Sequence, residues 1–140
     1  MKHKKKNNAY YLLLESGEKV IATLSYFLKR EKIVNGYFTG IGAVSFAELM
    51  FFDTKQKKYL SKLFRGDKEV LNITGNVSLL ENKPFIHAHI TIADKNYKTI
   101  GGHLKEATVG ASLEISLVKS DVNLHRNYQQ NSGLSLWNFD

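Results

Sequence analysis

The sequence predicts an α+β domain in which a mostly antiparallel β-sheet packs against one main α-helix. Only one segment, near the amino terminus, spaces its apolar residues as a helix does. From residue 36 onward, stretches rich in aromatic and β-branched residues are separated by glycines and polar clusters, which is typical of strands. An apolar content of 43% is enough for a core, so the composition does not favour disorder.

The chain is predicted to consist of a basic disordered tail over residues 1–9 and a single domain over residues 10–140. A length of 140 residues is that of one ordinary domain. No internal repeat and no interdomain linker interrupt the chain, and its only proline is Pro84.

The first element is a strand over residues 10–15, and a helix follows within residues 16–32. We expect Ser16 to cap this helix and Glu18 to lie in its first turn, while the basic pair Lys29–Arg30 complements the dipole near its carboxyl end. The apolar residues that predict the helix are Val20, Ile21, Leu24, Phe27 and Leu28.

The remaining elements are predicted strands. Residues 36–53 form a long one, in which Gly40 and Gly42 indicate a bulge or a close backbone approach. The stretch 97–120 contains a strictly alternating apolar set, Val109, Ala111, Leu113, Ile115 and Leu117. Further strands are expected within residues 57–67, 69–80, 84–94 and 134–139.

The positive charge is concentrated at the amino terminus. Lysine and arginine number 20 against 13 acidic residues, and four of the seven excess charges lie in the first eight residues. Such a tail can contact nucleic acid phosphates without reading a sequence, and the alternative is a solvated end with no partner. We therefore expect DNA binding to be weak and nonspecific, with contacts from Lys2, Lys4, Lys5 and Lys6.

Other composition features bear on the compartment. No apolar run approaches the ~18 residues of a membrane span, so no membrane partner is expected. The basic start is followed by AYYLLLESGEKV, which is too short and too soon charged for a secretory signal. The absence of cysteine excludes disulfides and thiolate metal sites. These features favour a cytoplasmic protein.

The segment PFIHAHITIAD, residues 84–94, carries the clearest chemical signal. In a strand, its isoleucines face a core while His87 and His89 point to the other side, about 7 Å apart along the backbone. His103 follows two glycines that predict a backbone turn, and such a turn can bring it beside this strand. Three neutral imidazoles bind Zn²⁺ at about 2.0–2.1 Å and leave a fourth position open. The alternative is an exposed His-x-His that only forms hydrogen bonds.

Two carboxylates are candidates for a supporting role. Glu69 and Glu114 lie in predicted strands, and each could act as an acid or base beside the histidines. Glu114 lies opposite the apolar face of its strand, so it is solvent-facing, a partner that orients a histidine, or a fourth ligand. His3 and His125 lie in polar surroundings and are expected to be solvated. No nucleophile elbow, phosphate-binding loop or helix-turn-helix is present, and no catalytic residue is assigned.

Four segments, taken in order, resemble the plant- and prokaryote-conserved (PPC) domain: GYFTGIGAVSFAELMFFD, EVLNITGNVSL, PFIHAHITIAD and GGHLKEATVGASLEISL. The resemblance covers roughly residues 10–122. It implies an α+β fold that assembles as a homotrimer, with His87, His89 and His103 as a zinc-type site. Plant members carry a DNA-reading AT-hook that this chain lacks, and GDKEVL departs from the plant pattern at Asp67 and Lys68.

The sequence is compatible with three functions. The first is a small trimeric PPC-type protein, DNA-associated or regulatory, whose three histidines hold a divalent metal, zinc. The second is a metal-dependent enzyme of unknown substrate that uses the same site. The third is an interaction module without chemistry. A close aromatic set in one strand, Phe46, Phe51 and Phe52, also favours an oligomer because a small monomer would bury it with difficulty.

Overall fold

The computed structural model describes residues 1–139. This part of the chain is mostly β-sheet, as predicted, with one short helix, α1 (Val20–Arg30). Its strands are β1 (Lys2–Lys6), β2 (Ala9–Glu15), β3 (Gly36–Asp53), β4 (Lys58–Leu80), β5 (Lys83–Ala93), β6 (Thr99–Lys119), β7 (His125–Gln129) and β8 (Leu134–Asn138).

The strands belong to one sheet, in the order β1-β2-β6-β3-β4-β7-β8, and β5 pairs with both β4 and β6. Because β3 also pairs with β4 and β6, these four strands close a ring. Every strand pair is antiparallel except β4 and β7, which are parallel. The closed ring fixes β5 between two neighbours, and β5 is the strand that carries His87 and His89.

The core lies between α1 and the inner faces of the strands. The apolar stripe of α1 is buried, with Phe27 meeting the ring of Tyr10 edge to face at 5.5 Å between centroids. Each fully buried Leu or Phe contributes about 1.5–3 kcal/mol of hydrophobic stabilisation. The strands supply buried side chains at alternate positions, among them Leu12, Phe38, Ile73, Ile90 and Leu113.

The helix begins later than the sequence predicts. Lys19 is its N-cap residue and makes no capping side-chain hydrogen bond, so the predictions for Ser16 and Glu18 are wrong. The carboxylate of Glu106, on β6, accepts hydrogen bonds from two N–H groups at the start of α1 instead. The basic residues of the last turn, Lys29 and Arg30, are confirmed.

The amino terminus differs from the disordered tail predicted for residues 1–9. Residues Lys2–Lys6 form β1, which pairs with β2 from Lys2↔Leu13 to Lys6↔Ala9. The side chains of β1 are all exposed, and Lys2 forms an ion pair with Glu15 at 2.8 Å. An edge strand carrying exposed lysines is a common way to prevent further strand pairing, so the lysines are compatible with an ordered strand.

The predicted strands largely match, and the differences have local causes. The segments 57–67 and 69–80 join into β4, in which Gly66 has a φ of +82°. The bulge expected at Gly40 and Gly42 is confirmed by a register shift, and Gly42 has a φ of +153°. Ala111 is exposed because the β3–β6 register also shifts there.

The strand β7 was not predicted, because its sequence HRNYQ lacks apolar alternation. Within residues 1–139, no helix combines the length and apolarity that crossing a membrane requires.

Candidate metal centre

Strand β5 presents two histidines on its outer face. Ala88, Ile90 and Ile92 are buried, while His87 is half-buried and His89 is exposed. The alternation follows from the two-residue period of a strand, so the apolar residues fix which way the imidazoles point. The prediction that one face enters the core while the other carries both histidines is confirmed.

The third histidine comes from β6. His89 and His103 are direct partners in the antiparallel pairing of β5 with β6. Gly101 and Gly102 do not form the predicted turn, because both lie within strand β6. A Cβ atom at Gly101 would lie 2.9 Å from the carbonyl oxygen of Ile90, so the close pairing of the two strands requires glycine there.

The three imidazoles converge. One ligand nitrogen from each of His87, His89 and His103 can be chosen so that all lie within 4.8 Å of one another. The ring centroids are 5.1–5.4 Å apart, and the Nε2 atoms of His87 and His89 are 3.2 Å apart. Two nitrogens bound tetrahedrally to zinc at 2.0–2.1 Å would be about 3.3 Å apart. The donor set and its spacing therefore fit a divalent metal ion.

The surroundings of His87 and His103 favour their neutral rings. Burial, with smaller contributions from His87, His89 and Arg126, lowers the pKa of His103 to about 4. Burial also lowers the pKa of His87. The Nδ1 atom of His103 is buried and has no hydrogen-bond partner. Neutral imidazoles with free lone pairs are the form that metals bind.

Two residues beside the cluster were not predicted. The ring of Tyr59, on β4, lies 5.1 Å from the ring of His103. Arg126, on β7, donates from Nη2 to the Oδ1 atom of Asn76 at 2.8 Å, and Asn76 is the direct cross-strand partner of His87. Neither residue stands in a recognisable motif, because both reach the site through strand pairing rather than through sequence spacing.

The structure does not bring the two predicted carboxylates to the cluster. Glu114 is exposed on β6, eleven residues beyond His103, which is roughly 35 Å along a strand. Glu69 is exposed on β4 opposite Ala93, at the other end of the β4–β5 pairing from His87. Neither carboxylate can contact a metal bound to the histidines, because many residues of extended strand separate each of them from the cluster.

The remaining histidines lie elsewhere. His3 is exposed on β1, with its ring edge to face against Phe27 at 5.1 Å. His125 is half-buried at the start of β7. A groove of about 640 Å³ crosses β1, β2, β6 and β3, and its lining includes His3 and Glu114 but none of the three clustered histidines.

The chain is similar to a known domain family and to several solved structures. The model of the Plants and Prokaryotes Conserved (PCC) domain matches residues 1–121. A structure from Bacteroides thetaiotaomicron, named a "putative DNA binding protein", is 31% identical, with a TM-score of 0.96 and coverage of 99% of this chain and 96% of that one. One of the same name from Ralstonia eutropha is 32% identical, with a TM-score of 0.91 and the same coverage.

A third structure, of a metal-containing protein from Archaeoglobus fulgidus, is 30% identical with a TM-score of 0.86. The match covers 95% of this chain and 94% of that one. No curated protein matches the chain.

Proposed function

The chain belongs to the Plants and Prokaryotes Conserved (PCC) domain family, the one its sequence resembles, and on that premise we propose that it binds one zinc ion through His87, His89 and His103. The observation that carries the proposal is the convergence of three imidazole nitrogens within 4.8 Å. The metal-containing relative from Archaeoglobus fulgidus supports it. Three histidine ligands leave a fourth position open, and bound zinc would supply a Lewis acid there.

The same site supports a second candidate, a metal-dependent enzyme of unknown substrate. The supporting observation is that two polar side chains, Tyr59 and Arg126, flank the histidines. A phenol can donate a proton or a hydrogen bond, and a guanidinium can hold an anionic group. In this candidate enzyme Glu69 and Glu114 have no acid or base role, because both residues lie away from the cluster.

Metal content tests the zinc proposal directly. Protein purified without a polyhistidine tag is dialysed against zinc and then buffer, and metal per chain is measured by elemental analysis. His89→Ala removes one ligand, while His3→Ala is the control because His3 lies on β1, outside the cluster. Four-ligand structural zinc sites contribute about 10–16 kcal/mol in total, or about 2.5–4 kcal/mol per ligand, so His89→Ala should lower zinc affinity roughly 100- to 1,000-fold.

The fold should survive the His89→Ala change. The side chain is exposed and the core face of β5 is untouched, so the free energy of unfolding of the metal-free protein should change by less than about 0.5 kcal/mol. Equal zinc stoichiometry and affinity in wild type, His89→Ala and His3→Ala would contradict the proposal.

DNA contact is proposed as a weak, nonspecific property of β1. The two relatives named as DNA-binding support it, as does the exposure of all five β1 side chains. The contacting residues would be the four lysines Lys2, Lys4, Lys5 and Lys6. Neutralising about four phosphates predicts that log K falls with log salt at a slope of roughly −3 to −4.

Charge substitution tests this contact better than deletion, because β1 is paired with β2. A variant with all four β1 lysines changed to glutamine should lose most DNA binding and most of the salt dependence. The control changes four exposed lysines outside β1 in the same way: Lys55, Lys58, Lys95 and Lys98. Equal loss in both variants would show that total charge matters and β1 does not.

A homotrimer is proposed as the assembly, on the basis of the family resemblance. Apolar exposure on the β3–β4 hairpin supports an interface: Phe51 is 70% exposed and faces Leu60, which is 46% exposed. Phe46 and Phe52 are partly buried.

Sedimentation equilibrium should give three times the chain mass of 15.9 kDa. Phe51→Glu should lower that mass, whereas Tyr26→Glu, on exposed helix surface, should not; a single 15.9 kDa species in wild type would refute the trimer.

A further inference from the structure

Arg126 is a buried cation held in one position. The residue is 8% exposed. The Nε atom donates to the Oγ atom of Ser78 at 2.8 Å, Nη1 to the carbonyl oxygen of Ser135 at 2.9 Å, and Nη2 to the Oδ1 atom of Asn76 at 2.8 Å. Three bonds from three different nitrogens fix both the position and the plane of the guanidinium.

In the part of the chain that the structure describes, this guanidinium contacts only neutral groups. All three hydrogen-bond partners are neutral, and no carboxylate within residues 1–139 forms an ion pair with Arg126. Aromatic rings lie against it instead, with Cζ 5.3 Å from the Phe85 ring centroid and 5.8 Å from that of Trp137. A buried charge is costly unless it is paired, so a guanidinium in this position would bind an anion favourably.

The guanidinium lies beside the histidine cluster. Asn76, which accepts from its Nη2 atom, is the cross-strand partner of His87. Direct partners of an antiparallel pair point to the same face, with Cβ atoms about 4.5–5.5 Å apart. Phe85, against which the guanidinium packs, precedes His87 by two residues and shares its face. Burial first, and then the Arg126 charge, lowers the pKa of His87.

We propose that this site binds a small organic acid, with its carboxylate on Arg126 and the rest of the molecule reaching the three histidines. The inference rests on the proposed metal site and names the class of ligand for it. A guanidinium has five N–H donors, of which three are used, so two remain for the two oxygens of a carboxylate. The near-complete burial of Arg126 favours a small molecule over the phosphates of a duplex.

Trp137 provides a direct probe of binding, because it is the only tryptophan in the chain and lies against Arg126. Tryptophan fluorescence is followed while acetate is added at constant ionic strength, to metal-free and to zinc-loaded protein. Acetamide, which has the same shape and no charge, is the control ligand, and inorganic phosphate is the competing anion. We expect saturable quenching or enhancement by acetate, at least tenfold weaker with acetamide or phosphate.

The decisive variant is Asn76→Asp. It places a carboxylate where the Asn76 amide now accepts from Arg126, so the protein neutralises its own charge and should bind acetate at least tenfold more weakly. Because it adds an ion pair, this variant should remain folded and gain thermal stability. Asn72→Asp is the matched control: it adds the same charge on the same face of β4, where Asn72 accepts from Thr39, and should change acetate affinity less than twofold.

The outcomes separate this inference from the metal proposal. If metal-free protein binds acetate and the Asn76→Asp change weakens that binding, the anion site is supported even if no zinc binds. Normal zinc binding without saturable acetate binding overturns the anion site and leaves the metal proposal intact. Equal acetate affinity in the Asn76→Asp and Asn72→Asp variants, or tighter binding of phosphate than acetate, also overturns it.

Discussion

Replacing Glu106 by alanine should destabilise the fold through the start of the helix. Glu106 lies on β6, and its carboxylate accepts from the N–H groups of Ile21 and Ala22, at 2.8 Å and 3.2 Å. The first N–H groups of a helix have no partner within the helix, and the N-cap residue Lys19 supplies none from its side chain. The Glu106→Ala change therefore removes the acceptor of both helix N–H groups and of the Ala107 N–H, which donates to the same carboxylate at 2.9 Å. It also removes a negative charge from the positive end of the helix dipole.

The size of this loss of stability depends on how exposed the two helix N–H groups are. Loss of a side-chain cap costs about 0.5–2 kcal/mol, and hydrogen bonds to a charged group contribute about 1.5–3 kcal/mol when shielded from water. The Ile21 bond is partly buried, but the Ala22 bond is exposed, so water replaces much of the second. We expect a loss of about 1–2 kcal/mol. A chain of this length has an unfolding entropy of roughly 0.3 kcal/mol/K, which converts the loss to a Tm lowered by about 3–7 °C.

Thermal and urea denaturation followed by circular dichroism measure this change. Glu106→Gln keeps an acceptor oxygen and should recover about half of the loss. Glu114→Ala is the control, because Glu114 is an exposed glutamate on the same strand, and its Tm should stay within about 2 °C of wild type. If Glu106→Ala and Glu114→Ala gave the same Tm, the carboxylate would not be capping the helix.

Three further predictions concern the core and the site. Gly75→Ala should lower stability by about 1–3 kcal/mol in urea denaturation, because its Cβ would lie 2.5 Å from Cζ of Phe38 and 2.6 Å from the carbonyl oxygen of His87; a rise in stability would contradict this packing. Phe27→Ala should cost about 3–5 kcal/mol, since the ring is fully buried, and a loss below 1 kcal/mol would show that the helix is not part of the core. In metal-free protein, NMR should show His103 titrating near pH 4. Because this pKa lies below its ordinary value of about 6.5, the stability contributed by neutral His103 is full above pH 6.5 and is lost as pH falls toward 4, and a midpoint near 6.5 would refute its burial.

Local periodicity determined much of the fold. The bounds of β3, residues 36–53, match the structure because glycine punctuation and a long β-rich stretch are properties of consecutive residues. The alternation in residues 84–94 likewise placed His87 and His89 on one face of β5, since a strand has a two-residue period. Where backbone pairing breaks that period, as at Ala111, the local pattern predicted the wrong face.

Only the tertiary structure decided which distant residues meet. The pairing of β5 with β6 set His103 opposite His89, and the pairing of β7 with β4 brought Arg126 to Asn76 beside His87. The amino-terminal lysines form a strand because β2 offers them an open edge, which their composition does not reveal. The helix is capped by Glu106, which lies on β6 and far from the helix in sequence. Strand register, and not spacing along the chain, sets which polar groups lie within hydrogen-bond distance.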